Sequence, residues 1–241
     1  MPLLRVARLT RRFGGIRAVD DCSFDVEAGT AVGLIGPNGS GKTTIFNLIG
    51  GALRPDAGQV FFDGARIDGL PPWEIARRGI GRTFQSIRLF RDLPVWENLA
   101  IAAMGRKQEG WESDGRDWLE RLGLLDLEEA PAGTLSVGQQ RLLELAMTLL
   151  VAPAFVMLDE PLAGVHPVIR RQIAEVIRTM RSAGRTFLVI EHHMPFVMEL
   201  CDAIVVLDHG EKIAEGPPEA IRRDERVIAA LLGQRRDETP A

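Results

Sequence analysis

Cysteine is nearly missing: the 241 residues hold two, Cys22 and Cys201. Two thiols cannot build a disulfide framework for a chain of this length, and their spacing fits no zinc motif. Both are therefore expected to be small buried apolar residues in a reducing compartment. A membrane-spanning run is missing too. The most apolar stretch, Leu142 to Leu158, is broken by Glu144, Thr148 and Pro153, whereas a spanning helix needs about 20 largely apolar residues. The opening Met1-Pro2-Leu3-Leu4-Arg5 lacks the basic head and apolar centre of a secretion signal, so any work at a membrane is expected to go through a partner. Charge of one sign does not dominate either. Twenty-nine basic against 33 acidic residues give a formal charge of −4, which weakens nonspecific nucleic-acid binding as a function. What is present is ordinary: 46% hydrophobic and 26% charged residues, enough to bury a sizeable core as one large domain or two small ones.

The N-terminal third reads mostly as strands. Cys22, Phe24 and Val26 alternate with polar neighbours, the period of a strand with one buried face. Ala31 to Ile35 is an apolar run ending in a glycine-rich turn, Lys42 to Ile49 has helical spacing, and Gln59 to Phe62 reads as a strand closed by Asp63-Gly64. From Ser86 to Ala152 the periodicity becomes helical over Trp96 to Met104, Arg116 to Leu122 and Val137 to Val151. Residues 105–115 read as a polar linker. Alternation then resumes with a strand at Phe155 to Leu158 and a helix from Pro167 to about Ala183. A strand at Thr186 to Ile190, a short helix at Met194 to Leu200 and a hairpin of Ala203 to Leu207 with Lys212 to Ala214 follow. The last helical stretch is expected to reach Leu232, with Gly233 to Ala241 a frayed polar tail. No internal repeat is visible, so one catalytic unit is expected.

Two motifs carry chemistry. Gly36-Pro37-Asn38-Gly39-Ser40-Gly41-Lys42-Thr43 matches G-x-x-x-x-G-K-[ST] in full and lies between an apolar strand and a helix. Its glycines let main-chain N–H groups turn toward phosphate oxygens, and the helix N-terminus adds partial positive charge. Lys42 is placed to reach the β- and γ-phosphates and Thr43 to offer a hydroxyl to Mg²⁺. Phe155 to Leu158 then delivers Asp159 and Glu160 at the carboxyl end of a buried strand, where open α/β folds bind ligands. Asp159 suits Mg²⁺, and Glu160 suits the polarising of a water that attacks the γ-phosphate. These two motifs occur in kinases, GTPases and helicases alike.

Leu135-Ser136-Val137-Gly138-Gln139-Gln140 narrows the choice. It resembles the LSGGQ signature of ABC ATPases, precedes the acidic pair by the spacing that family requires, and opens a helix. The resemblance covers the chain from Leu4 to about Gly233. It is nearest to the LivG-like ATP-binding subunits of branched-chain amino acid importers, through Arg12 to Asp20, Arg82 to Phe90 and Val206 to Gly216. It implies an α/β fold with a P-loop NTPase (RecA-like) core, an N-terminal antiparallel β subdomain and an inserted α-helical subdomain. These would form a single ABC ATPase domain, with residues 1–85 and 153–233 as β subdomain and core, 86–152 as the helical part and 234–241 as a tail.

Site roles follow from the resemblance. Glu160, His192, Gln85 and Lys42 become the catalytic set, with His193 the alternative to His192. Nucleotide contacts fall to Phe13, to Gly36 through Thr43 together with Thr44, and, on a facing subunit, to Ser136, Gly138 and Gln139. Thr43, Gln85 and Asp159 become the Mg²⁺ ligands. Val137 stands where glycine is usual, and His166 where aspartate or asparagine is usual in the segment Pro161 to Pro167 at the dimer seam. The linker after Met104 is shorter than is usual for the group.

The implied function is ATP hydrolysis at the cytoplasmic face of the inner membrane, driving import of branched-chain or related amino acids. The implied partners are a second ABC ATPase (the same chain or a sister), transmembrane permeases and, indirectly, a periplasmic binding protein; nucleic acid is not among them. An exporter or lipid-extraction ATPase and a non-transport ABC ATPase are the alternatives. The apolar set Ile87, Leu89, Phe90, Leu93, Val95 and Trp96 after Gln85 suggests that Phe90 or Trp96 borders the groove where a permease helix docks.

Overall fold

The computed structural model describes residues 1–105 and 109–237. Residues 106–108 and 238–241, inside the expected linker and tail, lie outside the described residues. The chain begins with a hairpin of β1 (Leu4–Phe13) and β2 (Ile16–Val26), after which β3 (Ala31–Ile35) runs into α1 (Lys42–Ile49). The strands β4 (Ala57–Phe62) and β5 (Ala65–Arg66), a short α2 (Pro72–Arg77) and β6 (Ile80–Arg82) follow. Three helices then come in succession: α3 (Val95–Ala103), α4 (Trp111–Arg121) and α5 (Val137–Leu150). The chain continues through β7 (Phe155–Asp159), α6 (Pro167–Ser182), β8 (Thr186–Ile190) and α7 (Met194–Leu200). It closes with β9 (Ala203–Asp208), β10 (Glu211–Gly216), α8 (Pro218–Ile221) and α9 (Glu225–Asp237).

These strands form a four-stranded antiparallel sheet in the order β2-β1-β4-β5 and a six-stranded sheet in the order β10-β9-β3-β8-β7-β6. In the larger sheet every pair is parallel except β9 with β10. Its strands β3, β7 and β8 are buried at every residue, which is why they read as unbroken apolar runs: both faces are covered. Alternate residues feed two cores. Val156, Leu158, Phe187 and Val189 pack with α3 to α7. Phe155, Met157, Leu188 and Ile190 pack with α1 and the antiparallel sheet. Ile45, Phe46, Leu48 and Ile49 of α1 are fully buried in the second core, so α1 is fixed between the two sheets. Truncating one such side chain to alanine costs about 2–5 kcal/mol.

The parallel pairing decides where chemistry can gather. β3, β6, β7, β8 and β9 end on one edge of the sheet, and the loops leaving them carry Gly36–Thr43, Thr83–Gln85, Glu160, Glu191–His192 and His209–Gly210.

Two expectations need correction. The stretch 105–115 is not linker throughout, because α4 begins at Trp111. Trp111 stacks on Trp96 with ring centroids 5.0 Å apart, and a Cβ on Gly115 would lie 3.2 Å from the Trp96 ring. The glycine that looks like linker punctuation is the gap that lets Trp96 lie against the helix. At the other end, α9 continues through Gly233 to Asp237; a lone glycine costs a helix about 1 kcal/mol and need not end it.

Candidate nucleotide site

The loop Gly36–Gly41 connects the last residue of β3 to the first turn of α1, and neighbouring backbone dictates its glycines. A Cβ on Gly36 would lie 2.1 Å from the Leu207 carbonyl oxygen, and one on Gly41 would lie 2.3 Å from that of Ala18. Both glycines have positive φ, 149° and 102°. Strands β2 and β9 thus press directly on the loop, and the Gly210 N–H donates to the Ser40 carbonyl at 3.2 Å. Lys42, 6% exposed, donates from Nζ to the carbonyls of Gly36 (2.8 Å) and Pro37 (2.7 Å) and to Ser40 Oγ at 3.4 Å. Burial pushes its pKa down to about 8, against the pull of Glu160 and Asp159. Thr43 is exposed and Thr44 half-buried at the start of α1, where main-chain N–H groups lack partners within the helix.

Across from the loop, Glu160 is held from two sides. Gln85 Nε2 donates to Oε2 at 3.4 Å, and His192 Nε2 lies 2.9 Å from Oε1. The Glu160 backbone is left-handed, φ 49°, a conformation a non-glycine residue keeps only when its surroundings impose it. Here the Glu160 N–H donates to the Ile190 carbonyl and its own carbonyl accepts from the Ala163 N–H. The structure separates the two histidines. His192 meets Glu160, whereas His193 caps α7, its Nδ1 accepting from the Phe196 N–H at 3.3 Å.

Asp159 is 2% exposed, and burial raises its carboxyl above the ordinary range while Arg82 opposes the shift. Arg82 approaches Oδ2 at 3.5 Å; Oδ1 is buried without a hydrogen-bond partner. Mg²⁺ fits this donor set. Among the described residues no three His, Cys, Asp or Glu side chains cluster as a metal cage, and Mg²⁺ with a nucleotide takes one or two carboxylates plus phosphate and water. An orphaned carboxylate oxygen is what such an ion or its water would satisfy.

Ser136, Gly138 and Gln139 lie elsewhere. Ser136 caps α5, its Oγ accepting from the Gln139 N–H at 3.3 Å, while Gln139 Oε1 accepts from the Ser136 N–H at 3.0 Å. This capping box satisfies two otherwise orphaned donors. Gly138 is small because Ile169 of α6 lies against it, 2.9 Å from where a Cβ would sit. The departing Val137 is 53% exposed, and His166 caps α6 through Val168 N–H to Nδ1, 3.4 Å. Among the described residues no hydrogen bond joins the Ser136 cap to the phosphate loop of the same chain. Phe13 is at the tip of the first hairpin, 44% exposed, with the Arg11 guanidinium 5.0 Å over its ring.

Arg82 and Glu191 also belong to the site, though no motif marks them. Arg82 also donates to Asn47 Oδ1 (2.9 Å) and the Phe46 carbonyl (3.2 Å), tying β6 to α1. Glu191, 4% exposed, accepts N–H bonds from Leu162 (2.8 Å), His192 (3.0 Å) and His193 (3.2 Å). The signal available was an acid directly after an apolar strand. Beside Gln85 lies an open cleft of about 1080 Å³ walled by Trp73, Arg77, Phe84, Arg88, Glu144 and Met147. Neither Phe90 nor Trp96 is among its walls: Trp96 is stacked on Trp111 among the helices, and Phe90 is 51% exposed outside the cleft.

The chain is similar to known proteins over nearly its whole length. Residues 19–163 match the family described as ABC transporter, and residues 211–236 match the one described as branched-chain amino acid ATP-binding cassette transporter. The chain is 41% identical to the high-affinity branched-chain amino acid transport ATP-binding protein BraF of Pseudomonas aeruginosa, over 97% of this chain and 98% of the relative. It is 40% identical to the corresponding protein LivG of Escherichia coli over the same shares, 97% and 98%. A crystal structure of an ATP-binding cassette of an ABC transporter in its ADP conformation matches with a TM-score of 0.88 at 33% identity, covering 97% of this chain and 99% of that one. With more than half of its length inside the family match and relatives aligned end to end, the chain belongs to the ABC transporter family as an ATP-hydrolysing ATP-binding cassette.

Proposed function

We propose that this chain powers the import of branched-chain or related amino acids through separate permease subunits, hydrolysing ATP at a site it completes with a second ABC ATPase subunit. The observation that carries the reading is the carboxylate of Glu160, fixed between Gln85 and His192 beside the orphaned oxygen of Asp159. Glu160 polarises the attacking water, and His192, on its other oxygen, holds the carboxylate in line and bonds the γ-phosphate. Lys42 and the N–H groups of Gly36–Thr44 bind the phosphates, and Phe13 stacks on adenine. Thr43, Asp159 and Gln85 would hold Mg²⁺, whose positive charge would offset charge on the transferred phosphoryl group.

The exposed Ser136 cap, with Gly138 and Gln139 behind it, supports completion of the site by a mate, since a helix N-terminus suits an anion presented from outside. The C-terminal match at 211–236 and the names of the full-length relatives support amino acid import. Among the described residues no helix is long and apolar enough to cross a membrane, so permeases would carry the substrate. This chain would work at the cytoplasmic face of the inner membrane, with a periplasmic binding protein delivering the cargo. Glu160→Gln should bind ATP normally and turn it over about 10²–10⁴ times more slowly, the range for loss of a positioned base. Near-normal turnover by that variant, measured as phosphate release, overturns the assignment.

A further inference from the structure

Arg141 and Glu144 form an ion pair on α5 at 2.8 Å, and both side chains are about 5% exposed (5% and 6%). Burying two charges is costly, and replacing such a pair by apolar residues is often neutral or stabilising, so stability alone does not account for it. The pair's other bonds point to a use. Arg141 Nη1 donates to the Phe84 carbonyl at 2.8 Å and Nη2 to the Gln85 carbonyl at 2.9 Å. Glu144 Oε1 accepts from the Phe84 N–H at 3.4 Å and the Arg88 N–H at 3.3 Å. Residues 83–90 have no helix or strand of their own. Their main chain is gripped from the helix that begins at Ser136, and the planar fork of Arg141 fixes two successive carbonyls as a point-like ammonium would not. Burial raises the carboxyl of Glu144, and Arg141 opposes the shift.

We propose that the Arg141–Glu144 pair positions the loop 84–88 so that Gln85 meets Glu160, linking the Ser136 helix to the hydrolytic carboxylate. Arg141 and Glu144 touch no substrate in this scheme; they act through Gln85. The proposal rests on the reading of Gln85 and Glu160 as part of the hydrolytic site. Arg141→Met/Glu144→Leu replaces the pair by apolar residues of similar size. In the full chain it should melt within a few degrees of wild type and keep its ATP affinity, while kcat falls about 10–100-fold, the effect of a small misplacement remote from the chemistry.

Adding Gln85→Ala should then cost less than about threefold more, because the two changes disable one unit. Hydrogen exchange should quicken at the amides of 84–88 while those of α5 stay protected. Should the double variant not fold, Arg141→Lys keeps the charge but cannot hold both the Phe84 and Gln85 carbonyls, and gives the same exchange readout. Wild-type kcat in the double variant, a full multiplicative loss from Gln85→Ala, or unchanged exchange at 84–88 would each overturn the proposal. Glu160→Gln run alongside separates the two failures. If it stays active, the hydrolytic assignment is wrong; if it is dead while the pair variant is normal, only the clamp is wrong.

Discussion

Replacing Gly41 with alanine tests how the phosphate loop is held. The added Cβ would lie 2.3 Å from the carbonyl oxygen of Ala18 on β2, at a φ of 102°. An L-residue in left-handed backbone costs about 1–2 kcal/mol, and forcing an atom against fixed backbone costs about 1–3 kcal/mol more. The sum is about 2–5 kcal/mol, and each kcal/mol lowers Tm by about 2–4 °C in a chain of this size. Thermal unfolding should therefore show a fall of about 4–20 °C, with ATP affinity lost as the loop moves off its strand. Gly39→Ala is the control. Its φ is 78°, but nothing lies within 4 Å of the new atom, so it carries the conformational cost alone, about 2–8 °C by the same conversion. Equal shifts for the two variants would refute the idea that β2 braces the loop.

Other consequences are open to direct test. Burial lowers Lys42 to about 8 from the ordinary lysine value of 10.5, so between those pH values the unfolded chain binds more protons and stability rises with pH. Triphosphate favours the protonated amine, so ATP affinity should fall as pH climbs past 8 and binding should take up a proton there; calorimetry in buffers of different ionisation heat reads this, and a flat affinity from pH 7 to 9 contradicts it. Phe13→Ala, at an exposed hairpin tip, should leave Tm unchanged while weakening ATP by about 3–10-fold, the worth of one aromatic stack; unchanged affinity in a nucleotide titration removes Phe13 from the site. Ser136→Ala should cost about 1 kcal/mol through the lost cap and impair ATP-driven pairing more than ATP binding to the single chain, which sedimentation and titration distinguish.

The phosphate loop and the Asp159-Glu160 pair were legible in the sequence because each is local: an apolar strand delivers the residues, and parallel pairing brings the strand ends together. β1 was harder to read. Val6 and Leu9 both enter the core although they are three residues apart, because the register shifts around Arg8, whose φ is 48°, and the period of two is lost. The six-residue α2 shows a single buried side chain, Ile75, too little for a helical pattern. Arg82 and the Arg141–Glu144 pair earn their places through partners 77 and 56–60 positions away in the chain or on another element's backbone, which no local pattern announces. Gly115 misled for the same reason, since its small size answers to Trp96 in space.

Hydrolysis in this scheme needs a triphosphate shared between two chains. Sedimentation of Glu160→Gln with ATP and Mg²⁺, alone and together with a co-expressed sister ATPase, tests it most directly. A nucleotide-dependent pair in one of the two mixtures, dissolved by adding Ser136→Ala, is the predicted result. Single chains under both conditions, with ATP bound, would contradict it.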